Sequence, residues 1–196
     1  MSIAHRIRVR TTQTLTDRFN RVDETTLDWQ RGDGRWQTLK RETVNHGDGA
    51  AILLLDPRRR TVVLVRQLRW ACVNNGLDDL LLEVPAGLLD DASPEDCIRA
   101  EAEQEVGFRV HRPRKVFDAF MSPGSLTERL HGFVAEVDAG DRIAPGGGLE
   151  HEGEDIEVVE LPWAEAVALL RQGRLRDAKT IMLLQHALLE GLIPPA

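Results

Sequence analysis

The chain has 196 residues, 42% of them hydrophobic and 29% charged, so it can bury a core of ordinary size as one domain or two small ones. Its formal net charge of −7 argues against nonspecific binding of DNA or RNA, which needs a basic surface. No apolar stretch could span a bilayer, and the start lacks the apolar run of a signal peptide. Cys72 and Cys97 have no zinc-type spacing, and two isolated thiols indicate a reducing compartment. Together with the charge and the lack of a spanning stretch, this leads us to expect a cytoplasmic protein without nucleic-acid or membrane partners.

The elements before the central helix are predicted from turn residues and apolar runs. Two β-prone segments flank the turn Arg31-Gly32-Asp33-Gly34 and predict a β-hairpin over residues 23–44. The runs AAILLLDP and TVVLVRQ predict buried strands. The segments that follow the hairpin are thus a strand at 50–57, a strand at 61–67, an irregular stretch at 71–79 and a short strand at 81–87.

A helix over residues 94–106 is predicted from the signals at its two ends. Ser93 suits the N-cap, Pro94 the first helical position and the two acids that follow the first turn. Gly107 suits the position just past the C-terminus. These signals bound the helix on both sides.

Two glutamates of this helix, Glu101 and Glu105, lie at the edge of the apolar stripe formed by Ile98, Ala102 and Val106, because each residue turns the helix by ~100°. Carboxylates four residues apart repel one another, and holding them dehydrated is costly unless a cation compensates. Their hard oxygens suit Mg²⁺ or Mn²⁺. Two alternatives stay open, namely pairing with arginines and a rotation of the helix that exposes both side chains.

The second half of the chain alternates strands and helices. Phe133, Ala135 and Val137 alternate along residues 129–137, which is typical of a strand with one buried face. The stretch 139–155 is rich in glycine and acid and is expected to be a loop. The remaining predicted elements are strands at 115–120 and 155–162 and helices at 163–172 and 178–190, which together indicate an α+β fold.

Residues 87–108, GLLDDASPEDCIRAEAEQEVGF, resemble the Nudix signature G-x5-E-x7-R-E-U-x-E-E-x-G-U, in which U is aliphatic. The loop of the box is one residue short and lacks its glutamate, Ala100 stands at the arginine position, and Gln104 replaces one of the paired glutamates. Other segments are similar to the GDP-mannose pyrophosphatase branch of the family, which is close to the ADP-ribose pyrophosphatases. These segments are VVLVRQLRWA, AGLLDD, PEDCIR, MSPGSLTE, GGGLE, DIEVVELP and RDAKT.

The resemblance implies a Nudix α/β/α sandwich with a mixed sheet over residues 45–196 and an N-terminal β-hairpin arm over residues 1–44, exchanged between the subunits of a homodimer. It implies Mg²⁺-dependent hydrolysis of a nucleotide sugar, GDP-mannose to GMP and mannose 1-phosphate, with Mn²⁺ as a substitute metal. An ADP-ribose pyrophosphatase that gives AMP and ribose 5-phosphate is an alternative. Gln104 and Ala100 also leave open a nucleotide-sugar-binding regulator without catalysis.

The resemblance further implies which residues form the site. The metal would be held by the carbonyl of Ala86, by Glu101 and Glu105, and by a loop glutamate best matched by Glu154. These three glutamates are also the catalytic candidates, with Glu154 acting as ligand or general base. The substrate contacts would be Arg69, Gly87, Leu88, Glu128 and Lys179 within one subunit, and Phe19, Lys40, Arg41 and Glu42 from the other.

Several of these residues also have an ordinary structural interpretation. Arg69 could be a surface ion-pair partner, and Lys179 could form an ion pair with a distant acidic residue. The glycines at 146–148 could be slack in the loop, since no P-loop lysine and serine follow them. The acidic residues at 150–154 could form a solvated loop.

Overall fold

The computed structural model describes residues 2–193, which divide into two compact units. One unit comprises the chain up to Asp48 together with Phe120–Arg129, and the other comprises Gly49–Ala119 together with the chain from Leu130 onward. The strands are β1 Ile7–Asp17, β2 Arg21–Gln30, β3 Trp36–Asn45, β4 Gly49–Asp56, β5 Thr61–Gln67, β6 Leu81–Glu83, β7 Ala86–Leu88, β8 Arg114–Phe120, β9 Arg129–Glu136 and β10 Glu157–Pro162. The α-helices are α1 Trp70–Asn74, α2 Pro94–Val106, α3 Trp163–Arg171 and α4 Ala178–Leu189.

The first unit is built on a three-stranded antiparallel sheet in the order β1-β2-β3. The predicted hairpin is confirmed, and its turn is closed by the Arg31 N–H, which donates to the carbonyl of Arg35 at 2.8 Å. Strand β1 was not predicted, because it is exposed along nearly its whole length and therefore carries no apolar alternation. The segment 120–129 joins the end of β3, since the Val44 N–H donates to the Ser125 carbonyl at 2.8 Å.

The second unit is built on a mixed sheet in the order β10-β5-β4-β9-β8, with β6 paired to β5 and β7 paired to β4. Strands β4 and β9 run parallel, whereas β4 and β5, and β5 and β10, run antiparallel. Every residue of β4 is buried, as expected for a central strand that is covered on both faces.

Helices cover both faces of this sheet. One face of β4 presents Ala50, Ile52 and Leu54 to an apolar cluster that includes Ile98 and Ala102 of α2. Helix α4 also packs on β4, and its buried side chains lie outside that cluster. Because successive strand residues point to opposite faces, α4 covers the other one. The predicted α+β fold and its α/β/α layering are confirmed.

Two local predictions were wrong. Strand β9 is buried continuously from Leu130 to Ala135 instead of on alternate residues, because it is an inner strand beside β4. The stretch after residue 69 is not wholly irregular, since the Arg69 carbonyl accepts from the N–H groups of Cys72 and Val73 and opens the short helix α1. No helix within residues 2–193 is long and apolar enough to cross a membrane.

Candidate active site

Helix α2 begins and ends at the predicted residues. The Ser93 hydroxyl accepts from the Asp96 N–H at 3.2 Å, and Pro94 occupies the first turn, where its missing N–H costs nothing. Gly107 ends the helix with a φ of 74°, a left-handed conformation that suits glycine. Since both ends are fixed locally, the rotation of the helix is set by its apolar stripe against β4 and β5.

Glu105 is buried between two strands, with only 1% of its surface exposed. Its Oε2 accepts from the Ala86 N–H at 3.0 Å, and its Oε1 accepts from the Gln67 side-chain amide at 3.4 Å. Both donors are neutral. Burial, followed by repulsion from Glu101, raises the pKa of Glu105 to about 8. The carboxyl therefore resists ionisation unless a cation stabilises it.

Glu101 lies one turn earlier on the same helix and is half-buried. Its carboxylate lies against the backbone of Gly87, where a Cβ atom would collide with it. Burial and then the charges of Glu154 and Glu152 raise the pKa of Glu101 to about 7. The helix is thus not rotated to expose the pair, and that alternative is wrong.

Arg69 lies near this pair, and a third carboxylate binds both Arg69 and Lys179. Glu83, at the end of β6, has no exposed surface. Its Oε1 accepts from Arg69 Nε at 2.7 Å, and its Oε2 accepts from Lys179 Nζ. Although burial lowers the pKa of Arg69, the charge and hydrogen bond of Glu83 and the charges of Glu105 and Asp177 together leave it raised. Arg69 therefore pairs with Glu83 and not with Glu101 or Glu105, and it is not an ordinary surface ion pair.

The start of helix α4 fixes the second cation. Asp177 is the N-cap residue, and its Oδ2 accepts from the Thr180 N–H at 2.9 Å and from the Thr180 hydroxyl at 2.5 Å. Its Oδ1 accepts from Lys179 Nζ at 2.8 Å. Lys179 opens the helix despite the unfavourable dipole because Asp177 and Glu83 both neutralise it.

The three glycines at 146–148 attach the acidic loop to the end of α2. The Gly147 N–H donates to the Glu105 carbonyl at 2.9 Å, and the Gly148 N–H donates to the Gln104 carbonyl at 3.1 Å. These bonds satisfy carbonyls that a helix end leaves free. The glycines are therefore neither slack nor a phosphate cradle. They lead the chain to Glu154, whose Oε2 accepts from the Leu149 N–H at 2.8 Å.

The residues present fit a divalent cation with oxygen ligands. Glu105 and Glu101 contact the adjacent β7 residues Ala86 and Gly87, so two carboxylates converge on one short stretch of backbone. Neither carboxylate is matched to Arg69, which Glu83 holds. Within residues 2–193 no three acidic, histidine or cysteine side chains converge as a metal cluster, and the carboxylate of Glu154 is turned to the backbone of its own loop.

The site residues expected from the resemblance fall in both units. The second unit brings together Arg69, Lys179 and the acidic pair, with Gly87 and Leu88 on β7 and Glu154 on the loop. The first unit contains Glu128 and the four residues assigned to a partner subunit. Among these four, Phe19 is 80% exposed at the β1–β2 turn, and Glu42 is exposed on β3. Lys40 pairs with Glu24 at 2.8 Å, and Arg41 borders a cavity of about 470 Å³.

Sequence analysis missed Glu83, which joins the two cations. The residue stands in the apolar run LLEVP, where Leu81 and Val84 are buried beside it. A charge in a buried strand must be paired, so this position could have been recognised as part of a charged site. Its partners were not predictable, because Arg69 lies 14 residues before it and Lys179 lies 96 residues after it.

Comparisons with known proteins identify the family of the chain. The NUDIX domain model matches residues 45–184, and the model of the GDP-mannose pyrophosphatase NudK N-terminal domain matches residues 6–43. The GDP-mannose pyrophosphatase of Pectobacterium atrosepticum is 49% identical over 178 residues, which cover 90% of this chain and 91% of that protein. The protein of the same name from Cronobacter sakazakii is 47% identical over 180 residues, which cover 91% of this chain and 93% of that protein. The chain therefore belongs to the Nudix family and is a Nudix hydrolase.

Proposed function

We propose that the chain hydrolyses the diphosphate bond of a nucleotide sugar in the presence of Mg²⁺, with GDP-mannose as substrate and GMP and mannose 1-phosphate as products. Mn²⁺ is the expected substitute metal. The observation that carries the proposal is the pair Glu101 and Glu105, neither of which forms a salt bridge with a cation among residues 2–193. The names of the similar proteins support the choice of GDP-mannose.

The residues of the second unit have separate tasks in this reaction. Glu101, Glu105 and the Ala86 carbonyl would hold Mg²⁺, which supplies charge stabilisation for the diphosphate and orients the attacking water. Arg69 and Lys179 would grip the phosphoryl oxygens, Arg69 with the outer nitrogens of its fork. The charge of Glu154 lies close enough to Glu101 to raise the pKa of Glu101, which supports a role of this loop residue as ligand or general base.

We also propose that the protein acts as a homodimer in which the first unit of one copy completes the site of the other. Phe19, with 80% of its surface exposed, would stack on the base, and Lys40, Arg41 and Glu42 would reach the nucleotide. Glu128 is proposed to contact the substrate within its own subunit. The two free thiols, Cys72 and Cys97, support a reducing, cytoplasmic location.

The test is a panel of nucleotide sugars and ADP-ribose, each assayed at one Mg²⁺ concentration and again with a chelator, with products separated by anion-exchange chromatography. We expect GMP and mannose 1-phosphate from GDP-mannose, and no turnover without a divalent cation. If ADP-ribose is the preferred substrate, the assigned substrate is wrong, but the assigned reaction, hydrolysis of a diphosphate bond, is still correct. Tight binding of nucleotide sugars with no turnover of any compound would identify a regulator and overturn the proposal.

A further inference from the structure

Glu83 combines complete burial with two opposite-charge partners that come from distant parts of the chain. Its strand β6 pairs with β5 through Val65. The Val84 N–H donates to the Thr180 hydroxyl at 2.8 Å, which ties the same segment to α4. A carboxylate in this position has no access to water and is held at both oxygens. The cations that it holds are therefore fixed in space as well.

Arg69 and Lys179 each keep hydrogen-bond donors that these pairs do not use. Within residues 2–193, Nε is the only nitrogen of the Arg69 guanidinium with a hydrogen-bond partner, and the side chain is 40% exposed. Its two terminal nitrogens can therefore donate to a ligand. Lys179 uses two of the three ammonium hydrogens, for Glu83 and Asp177. Among the described residues, Arg69 and Lys179 thus keep five N–H donors outside these pairs, four on Arg69 and one on Lys179.

We propose that Glu83 is a positioning residue, which holds Arg69 and Lys179 apart as a preorganised two-armed clamp for the diphosphate of the substrate. The inference rests on the proposed function in that a diphosphate must bind beside Glu101 and Glu105. A free arginine or lysine would lose rotamer freedom on binding the ligand. Here that freedom is already lost in the folded protein, so binding costs less.

The direction in which phosphate affinity changes when Glu83 loses its charge distinguishes a positioning role from a purely electrostatic one. Glu83 is an anion next to a proposed anion site, so removal of its charge should strengthen phosphate binding if it only contributes charge. If Glu83 positions the cations, its removal should weaken binding. Glu83→Gln suits this comparison, because an amide has nearly the same shape but offers an acceptor to only one of the two cations.

The experiment is a double-mutant cycle with methylenediphosphonate, a diphosphate analogue that cannot be hydrolysed, titrated by calorimetry at a fixed Mg²⁺ concentration. We expect Glu83→Gln to weaken binding about tenfold. In a protein that already carries Arg69→Ala and Lys179→Ala, we expect Glu83→Gln to change the affinity less than twofold. A residue that acts only through Arg69 and Lys179 has no effect once both are removed. Asp56→Asn is the matched control, because Asp56 is a buried carboxylate that caps the turn after β4.

Arg69→Lys provides a second variant if Glu83→Gln does not fold. A lysine at 69 keeps the charge but cannot bridge Glu83 and a ligand with separate nitrogens, so we again expect about tenfold weaker binding. The proposal is overturned if the variant that folds binds methylenediphosphonate as tightly as the wild type or more tightly. It is also overturned if Glu83→Gln still weakens binding when Arg69 and Lys179 are both alanine, or if the wild type does not bind the probe. Failure to hydrolyse GDP-mannose while the probe binds normally counts against the substrate and not against the clamp.

Discussion

At the scale of single residues, the site is defined by how its charges are satisfied. Glu83, Arg69, Lys179 and Asp177 form a neutral network in which each carboxylate faces a cation. Glu105 receives only neutral donors, although removing a carboxylate from water costs several kcal/mol. The structure thus separates a satisfied cluster from an unsatisfied pair. The unsatisfied pair is the part whose ionised form a bound cation would stabilise.

Glu105→Gln is expected to lower kcat by about 10²–10³-fold, the range seen when a group that stabilises developing charge is removed. The melting temperature should change by little, because glutamine keeps the shape and can still accept from the Ala86 N–H. Glu103→Gln on the exposed side of α2 is the control and should retain full activity. Wild-type turnover by Glu105→Gln would remove Glu105 from the metal site.

The raised pKa values of Glu101, about 7, and Glu105, about 8, predict how the metal-free protein responds to pH. Their ordinary value is 4.5, so the folded state binds protons more tightly than the unfolded state. The resulting stabilisation is complete below pH 4.5 and is lost as pH rises through 7 and 8. Relative to Glu105→Gln, whose residue 105 stays neutral, the wild type should therefore become less stable over this range.

The measurement is the melting temperature of both proteins from pH 5 to 9 with a chelator present. The melting temperature of the variant should increase relative to that of the wild type as pH rises, and the difference should level off above about pH 8. Added Mg²⁺ should remove or reverse the difference, because it binds the ionised wild-type pair. A difference that is constant with pH would contradict the assigned pKa shifts.

At the scale of elements, the sequence signals at helix ends and in continuous apolar runs were reliable. Ser93, Pro94 and Gly107 mark the ends of α2, and the structure has the same bounds. The apolar runs that became β4 and β5 could be predicted because burial on both faces needs uninterrupted apolar residues. The rotation of α2, and with it the direction of Glu105, followed from the 3.6-residue period.

Features that depend on distant contacts could not be predicted in the same way. The clamp centred on Glu83 joins three segments of the chain, and no local pattern relates them. Strand β1 is exposed and is defined only by its register with β2. The role of the glycines at 146–148 depends on carbonyls at the end of α2, which the sequence does not place next to them.

Gly146→Ala should destabilise the protein by about 2–4 kcal/mol. The residue has a φ of +76°, and a Cβ atom there would lie 2.6 Å from the Glu105 carbonyl oxygen. Gly153→Ala is the matched control, since Gly153 has a φ of +78° in the same loop and faces open space. The control should cost only about 1 kcal/mol. Urea unfolding measures both, and equal losses would show that the glycine loop does not pack on α2.

At the scale of the whole molecule, the first unit leaves several large apolar side chains exposed. Val9 is 63% exposed, and Leu15, Phe19 and Trp36 are exposed as well. Their number on one small sheet is consistent with the proposed association of two copies. On a sizing column coupled to light scattering we expect about twice 22.0 kDa. A clean monomer at assay concentration would exclude a contribution of Phe19, Lys40, Arg41 and Glu42 to a partner's site.

The attachment of the glycine loop to α2 also has a kinetic consequence. Residues 146–148 can leave their place only if the carbonyls of Gln104 and Glu105 lose the hydrogen bonds that they accept from Gly148 and Gly147, whereas the Glu154 carboxylate is held by the bond that it accepts from the Leu149 N–H. Loop motions take ~ns–μs, and local unfolding is slower, at ~μs–s. We therefore expect the Glu154 side chain to change rotamer without opening the helix end, and so to adjust its position faster than Glu105 can.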